Sequence, residues 1–239
     1  MSFADPYRRP VSSAVVIDTP RPRLSHPSDR VRGVIVGATL ALAGVGIYSA
    51  VTAGAGTPAT PAAPAIPMTM TQRVLPPTTF PGFIETQRPS VIRNAGAWAK
   101  LEPAGSLTST TARLRAIGFV AGVSEQLHGV RVPAEAVSTA ERYRTAAGAD
   151  AQLRYESNRL ASMPNAAQFA VPGVPGAIGI TLNENGVMAG DVLFTVGAYY
   201  YVVASGTDGT GHGVPGPASL TRAANVQYLG VEGCTTNSR

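Results

Sequence analysis

From Gly33 to Gly56 the chain reads GVIVGATLALAGVGIYSAVTAGAG, a run of twenty-four residues without a charged side chain. At ~1.5 Å rise per residue a helix of this length extends ~36 Å, enough to cross a hydrocarbon core of ~30 Å with some tilt. One transmembrane helix is therefore expected over residues 33–56. Arg21, Arg23, Arg30 and Arg32 precede it, and the next charge beyond it is Arg73. Basic residues favour the cytoplasmic side, which puts the amino terminus in the cytoplasm and the carboxy-terminal domain outside. The alternative is a cleaved signal peptide, because Ala53-Gly54-Ala55 has the form of a cleavage site. Against it, the apolar run is longer than the ~7–15 residues of a signal core. No cysteine stands directly after the run, which excludes a lipoprotein signal. Gly33, Gly37 and Ala41 share one helix face and Gly46, Ala50 and Gly54 another, grooves through which two such helices pair closely.

The helix divides the chain. Residues 1–32 contain Pro6, Pro10, Pro20, Pro22 and Pro27 and no apolar period, and read as a basic cytoplasmic tail. Residues 57–79, with Pro58, Pro61, Pro64, Pro67, Pro76 and Pro77, read as an extended Pro/Ala/Thr-rich linker. Residues 80–239 are expected to form the extracytoplasmic domain. Six arginines against three aspartates in the tail account for three of the five net positive charges of the chain. The rest carries no basic stripe interleaved with aromatics, so nucleic acid is not an expected partner. Cys234 is the only cysteine, so no internal disulfide forms and the domain depends on its core. Cys234 reads as an inert thiol or as an intermolecular pairing site.

Within the domain, Val91, Ile92, Ala95, Trp98 and Ala99 fall on one face of a helix opening at Pro89, and a second helix is expected over 109–116. Residues 117–123 alternate and read as a strand. After Pro133, Ala136, Val137, Ala140, Tyr143 and Ala147 recur at spacings of three and four, which predicts a helix ending at Gly148. Asp150 then caps another helix to Ala161, stopped by Pro164. Strands follow at 178–183, 191–196 and 199–204, turned by Asn185-Gly186 and by Gly197-Ala198 in a type II′ turn. A last helix is expected over 217–229. The order α-α-β-α-α-β-β-β-α with tight turns predicts an α+β fold, a mostly antiparallel sheet packed by helices.

The segments ARLRAIGFVAGVSEQL (112–127) and FAVPGVPGAIGI with VLFTVGAYYYVV (within 169–203) resemble motifs of uncharacterised actinobacterial envelope proteins, and the layout is more loosely similar to PsbP-like lipoproteins. The shared motifs are turns and strands, and no functional residue is implied by them. The absence of an amino-terminal cysteine departs from the lipoprotein pattern and favours the helix as anchor.

Reactive patterns are sparse. His128, expected in a surface loop, and His212 lie far apart in sequence, short of the three or four ligands of a zinc site, so no metal site is expected. Ser205, Asp208 and His212 fall within one Gly-rich segment and read as turn formers rather than a catalytic triad. Gly211-His-Gly213-Val-Pro-Gly216 matches G-x-G-x-x-G, yet Pro215 and Pro217 remove the amide donors a pyrophosphate needs, and no cofactor is expected. Tyr199, Tyr200 and Tyr201 alternate faces on their strand. One of those faces is the only partner surface the sequence nominates. The expectation is a non-enzymatic, membrane-anchored envelope protein whose outer domain binds a ligand or protein. A sensory ectodomain signalling through the helix, and after it an envelope hydrolase, are the alternatives.

Overall fold

Val192, Leu193 and Phe194 are consecutive and all fully buried. Neighbouring residues of a strand point to opposite sides, so this strand must be covered on both faces. The computed structural model describes residues 68–102, 106–184, 187–207 and 215–232 and shows how the covering is done. The tail, the expected transmembrane helix and residues 57–67 of the linker lie outside the described residues. Among the described residues no helix is long and apolar enough to cross a membrane.

The fold is α+β: a seven-stranded antiparallel sheet with helices on both faces. The elements in chain order are β1 (Phe83–Gln87), α1 (Ala95–Ala99), α2 (Leu107–Ala116), β2 (Phe119–Gly129), β3 (Ala134–Tyr143), α3 (Ala146–Ala161), β4 (Ala166–Phe169), β5 (Ile178–Glu184), β6 (Val187–Val196), β7 (Tyr199–Thr207) and α4 (Pro217–Glu232). The strands lie in the order β1-β2-β3-β7-β6-β5-β4. On one face, Val123, Ala136, Phe194, Tyr201 and Val203 pack against Leu220, Ala223 and Ala224 of α4 and against the amino-terminal Val74, Leu75 and Phe80. On the other, Tyr143, Ile180, Leu193 and Tyr200 pack against Ala149 and Leu160 of α3. At the β2 end of that second face, α1 and α2 contribute Trp98, Ala99 and Leu114.

Several expectations are corrected by this arrangement. The helix expected after Pro133 is β3. Its spacing of three and four arises because both faces are buried: Ala136 and Ala140 belong to one core, Val137 and Tyr143 to the other face, and the burial no longer alternates. Pairing with β2 and β7 along the strand decides its conformation. The next helix starts at Thr145, whose hydroxyl accepts the Gly148 N–H at 3.1 Å, so Gly148 lies in its first turn rather than at a helix end and Asp150 is no cap. The helix expected from Pro89 begins only at Asn94, whose side chain accepts the Gly96 and Ala97 N–H groups, while Ile92 before it bridges to Gly122 of β2. β1 and β4, the two edge strands, were not foreseen.

The β5-β6-β7 meander agrees with the expectation, and the Gly197 φ of 58° with no positive φ at Ala198 fits the type II′ turn. Asn185-Gly186 lies outside the described residues, with Glu184 paired to Val187 across it. Residues 68–79, assigned to the linker by composition, belong to the folded unit. Val74 and Leu75 are buried, and the Leu75 N–H donates to the Ser138 hydroxyl at 3.0 Å.

Candidate functional site

Side chains of β7 point alternately to the two faces, and each face carries a polar constellation. Tyr199 and Tyr201 project beneath α4. Their rings lie 6.3 Å apart, and Tyr201 stacks on Phe194 at 5.0 Å. Arg73 enters this layer from the short 3-10 turn Met70–Arg73. Its guanidinium carbon sits 3.7 Å from the centre of the Tyr199 ring, and Nη1 donates to the Tyr201 hydroxyl at 2.9 Å. The Arg73 carbonyl accepts from Gln227 Nε2 of α4 at 2.7 Å. A desolvated cation over an aromatic face contributes about 2 kcal/mol, so this contact ties the amino-terminal segment to β7 and α4.

On the other face Tyr200 lies among ionisable side chains gathered under α3. Arg113 of α2 pairs with Glu102 at 2.6 Å and lies 3.9 Å from Glu156 of α3. Arg159, one turn further along α3, pairs with Glu156 at 2.5 Å. Glu141 of β3 meets the Tyr143 hydroxyl, and Arg113 also meets the Gln152 amide oxygen. Asp191 of β6 and Glu141 are both buried, and neither forms an ion pair among the described residues. Asp191 Oδ2 and the Tyr200 hydroxyl have no hydrogen-bond partner among the described residues.

Burial pushes the Glu141 carboxyl up to about 8, with Glu102 and Glu156 adding to it against the Tyr143 hydrogen bond and Arg113. Burial likewise raises Asp191 to about 8, opposed by the field of Arg159 and reinforced by Glu156. Glu102 is raised to about 7 by burial and by Glu156, against the pull of Arg113 and Arg159. Tyr143 and Tyr200 are held well above their ordinary range, chiefly by burial, and stay neutral. The cluster therefore holds protons near neutral pH that exposed carboxyls have lost.

Of the nominated tyrosines, Tyr200 and Tyr201 are 1% and 0% exposed and Tyr199 is half-buried, so both faces of the strand point into packed layers. His128 lies on β2, not in a loop, with Nδ1 3.5 Å from Glu135. Ser205 is buried and its hydroxyl donates to the Pro215 carbonyl at 2.7 Å. Asp208, His212 and Cys234 lie outside the described residues, as do residues 211–214 of the Gly-rich motif. Among the described residues no group of three or more His, Cys, Asp or Glu is placed to hold a metal ion.

The acid cluster escaped the sequence reading, although one signal pointed to it. Asp191 sits in the middle of MAGDVLFTV, an apolar strand in which a carboxylate has no solvated side to turn to.

No family model matches the chain, and no curated protein matches it. Two solved structures are similar. The extracellular domain of PknH from Mycobacterium tuberculosis has 10% identity and a TM-score of 0.47, covering 69% of this chain and 97% of that one. An uncharacterized protein from Mycobacterium smegmatis has 9% identity and a TM-score of 0.41, covering 64% and 90%. Neither likeness assigns a function here.

Proposed function

We propose that this chain is a membrane-anchored interaction protein of the cell envelope: the 33–56 helix anchors it, and the α+β unit acts outside by binding rather than by catalysis. The observation that carries this reading is the charge-free run behind a basic tail, followed at Met68 by a folded unit. The intervening residues 57–67, if extended at ~3.1 Å per residue, span roughly 35 Å, enough to hold the unit clear of the bilayer. A second reading, a sensory ectodomain coupled to a cytoplasmic partner, draws on the buried carboxyls under α3, which change protonation near neutral pH.

The test is a reporter active only outside the cytoplasm, fused after Arg239, together with fractionation of the product. Activity in the membrane fraction is the expected result. Activity confined to the cytoplasm defeats the reading, and a soluble product shortened near Ala55 replaces the anchor with a signal peptide. A thermal-shift screen of the full chain against envelope glycans, lipids and peptides then tests binding, while turnover of a generic ester or glycoside would favour an enzyme.

A further inference from the structure

α3 runs along the sheet from Asp150, which accepts the Thr195 hydroxyl at 2.9 Å, to Arg159 and Leu160 near Asp191. The charged groups facing one another beneath it come from six segments, while β4 and β5, which also pack against it, add none among the described side chains. Glu156 and Arg159 belong to α3 itself, Arg113 to α2, Glu102 to the segment after α1, Glu141 with Tyr143 to β3, Asp191 to β6 and Tyr200 to β7. Among the described residues, four carboxyls therefore face two guanidinium groups. Arg113 is taken by Glu102 at 2.6 Å and Arg159 by Glu156 at 2.5 Å. Glu141 and Asp191 are surplus: both are buried and neither has an ion pair among the described residues. A carboxyl buried in that condition is accommodated as the neutral acid, since an unpaired charge would have to be returned to water.

We propose that α3 is a proton-operated latch, seated on the sheet while Glu141 and Asp191 carry protons and released when they ionise. The geometry names the element that must move. Glu141 and Asp191 lie on strands held by neighbours on both sides, whereas α3, which packs across β3, β6 and β7, is one helix whose last turn is followed by the turn at 162–165. Lifting that helix would open the layer in which the two carboxyls are buried.

The direction follows from the protons held. The seated state keeps them at pH values where an exposed carboxyl has lost them, so seating is complete in acid and is lost as pH rises through about 8. Each carboxyl that ionises only on opening raises the opening constant by up to about tenfold per pH unit. The latch stands whether or not the chain is anchored in a membrane.

Hydrogen exchange of the full chain in detergent, measured from pH 6 to 9 and corrected for base catalysis of exchange itself, tests it. Residues 146–161 should lose protection steeply with pH while residues 199–207 keep theirs, and the combined E141Q and D191N variant should abolish the part of that dependence centred at about 8, leaving at most the part at about 7 that belongs to Glu102. Protection of α3 that is indifferent to pH, or that falls equally across the sheet, overturns the latch. So does a dependence centred at about 8 that survives in the double variant. Glu125, on the opposite face, titrates near the same range, and E125Q must leave the α3 response intact. Should the double variant fail to fold, the side-chain carboxyl carbon NMR shift of Asp191 in the wild-type chain decides. A midpoint well above neutrality supports the latch, and one near the ordinary ~4 overturns it.

Discussion

The indole of Trp98 fills the space that a side chain at position 122 would occupy: a β-carbon on Gly122 would lie 2.7 Å from Cδ2, Cε2 and Cε3 of the ring. The ring is also stacked on Phe119, with centroids 5.8 Å apart and planes at 26°. It is fixed from two sides and has little room to retreat. Gly122→Ala should therefore cost ~1–3 kcal/mol as an overpacking change. A denaturant midpoint lowered at unchanged slope is the expected reading, and an unchanged midpoint would remove Trp98 from this seat.

The three tyrosines of β7 should separate by what each of them touches. Tyr201→Phe removes the acceptor of Arg73 Nη1, leaving a buried guanidinium short of a partner, and should cost ~1–3 kcal/mol. Tyr200→Phe deletes a buried hydroxyl that has no partner among the described residues and should be neutral or slightly stabilising. Tyr199→Ala should lose ~0.5–2 kcal/mol through its contact with Arg73. Thermal melts of the three variants give the ranking directly. Equal losses for Tyr200→Phe and Tyr201→Phe would contradict the hydrogen bonding on the two faces.

How far the sequence carried can be read from individual elements. The β5-β6-β7 meander was legible because its turns are made by residues of strong local preference, and Gly197 adopts the positive φ that the turn needs. β3 was misread because alternation marks a strand only when one face is wet. Here Ala136, Val137 and Ala140 are all buried, and burial at three- and four-residue spacing imitates a helix. The same cause hid the acid cluster. With one tyrosine face assumed open, only Asp191 within its apolar strand signalled the carboxyls, contributed by elements distant in sequence, among which Tyr200 lies. Arg73 was lost differently: proline content assigned its segment to a linker, and only long-range contact with Tyr199, Tyr201 and Gln227 shows that it is core.

The domain boundary should behave accordingly. A truncated chain starting at Met68 keeps Val74, Leu75, Phe80 and the Arg73 contacts, whereas one starting at Pro81 loses all of them. The deletion opens one face of the sheet and strands the Ser138 hydroxyl that Leu75 N–H engages. Loss of three buried apolar side chains at ~1.5–3 kcal/mol each is comparable to the whole stability of an ordinary domain. The 68–232 fragment should therefore melt cooperatively, while the 81–232 fragment should be unfolded or aggregated. A cooperative transition in the shorter fragment at the same temperature would show that residues 68–80 are dispensable. Limited proteolysis of the full chain offers an independent check, with cleavage expected within 57–67 and protection beyond Met68.

Glu125 provides a pH test separate from α3. It lies on the face of β2 that also carries Val123 and Leu127, is buried, and its Oε1 has no hydrogen-bond partner among the described residues. Glu85 of β1 pairs with Leu127, one same-face step away, so the two carboxyls are diagonal neighbours across the strands. Burial raises Glu125 to about 7, and the charge of Glu85 adds to the shift. A carboxyl raised in the folded state stabilises fully below its unfolded value, and that contribution disappears as pH rises through the folded value. Stability should accordingly decline between about 4.5 and 7, and Glu125→Gln should remove that part of the decline. Because Glu85 is exposed, Glu85→Gln should leave stability at low pH unchanged while moving the Glu125 midpoint down towards the ordinary carboxylate range. Carbon NMR of the Glu125 carboxyl follows the midpoint itself. A midpoint that does not move in Glu85→Gln would assign the whole shift to burial and dissolve the coupling between the edge strand and its neighbour.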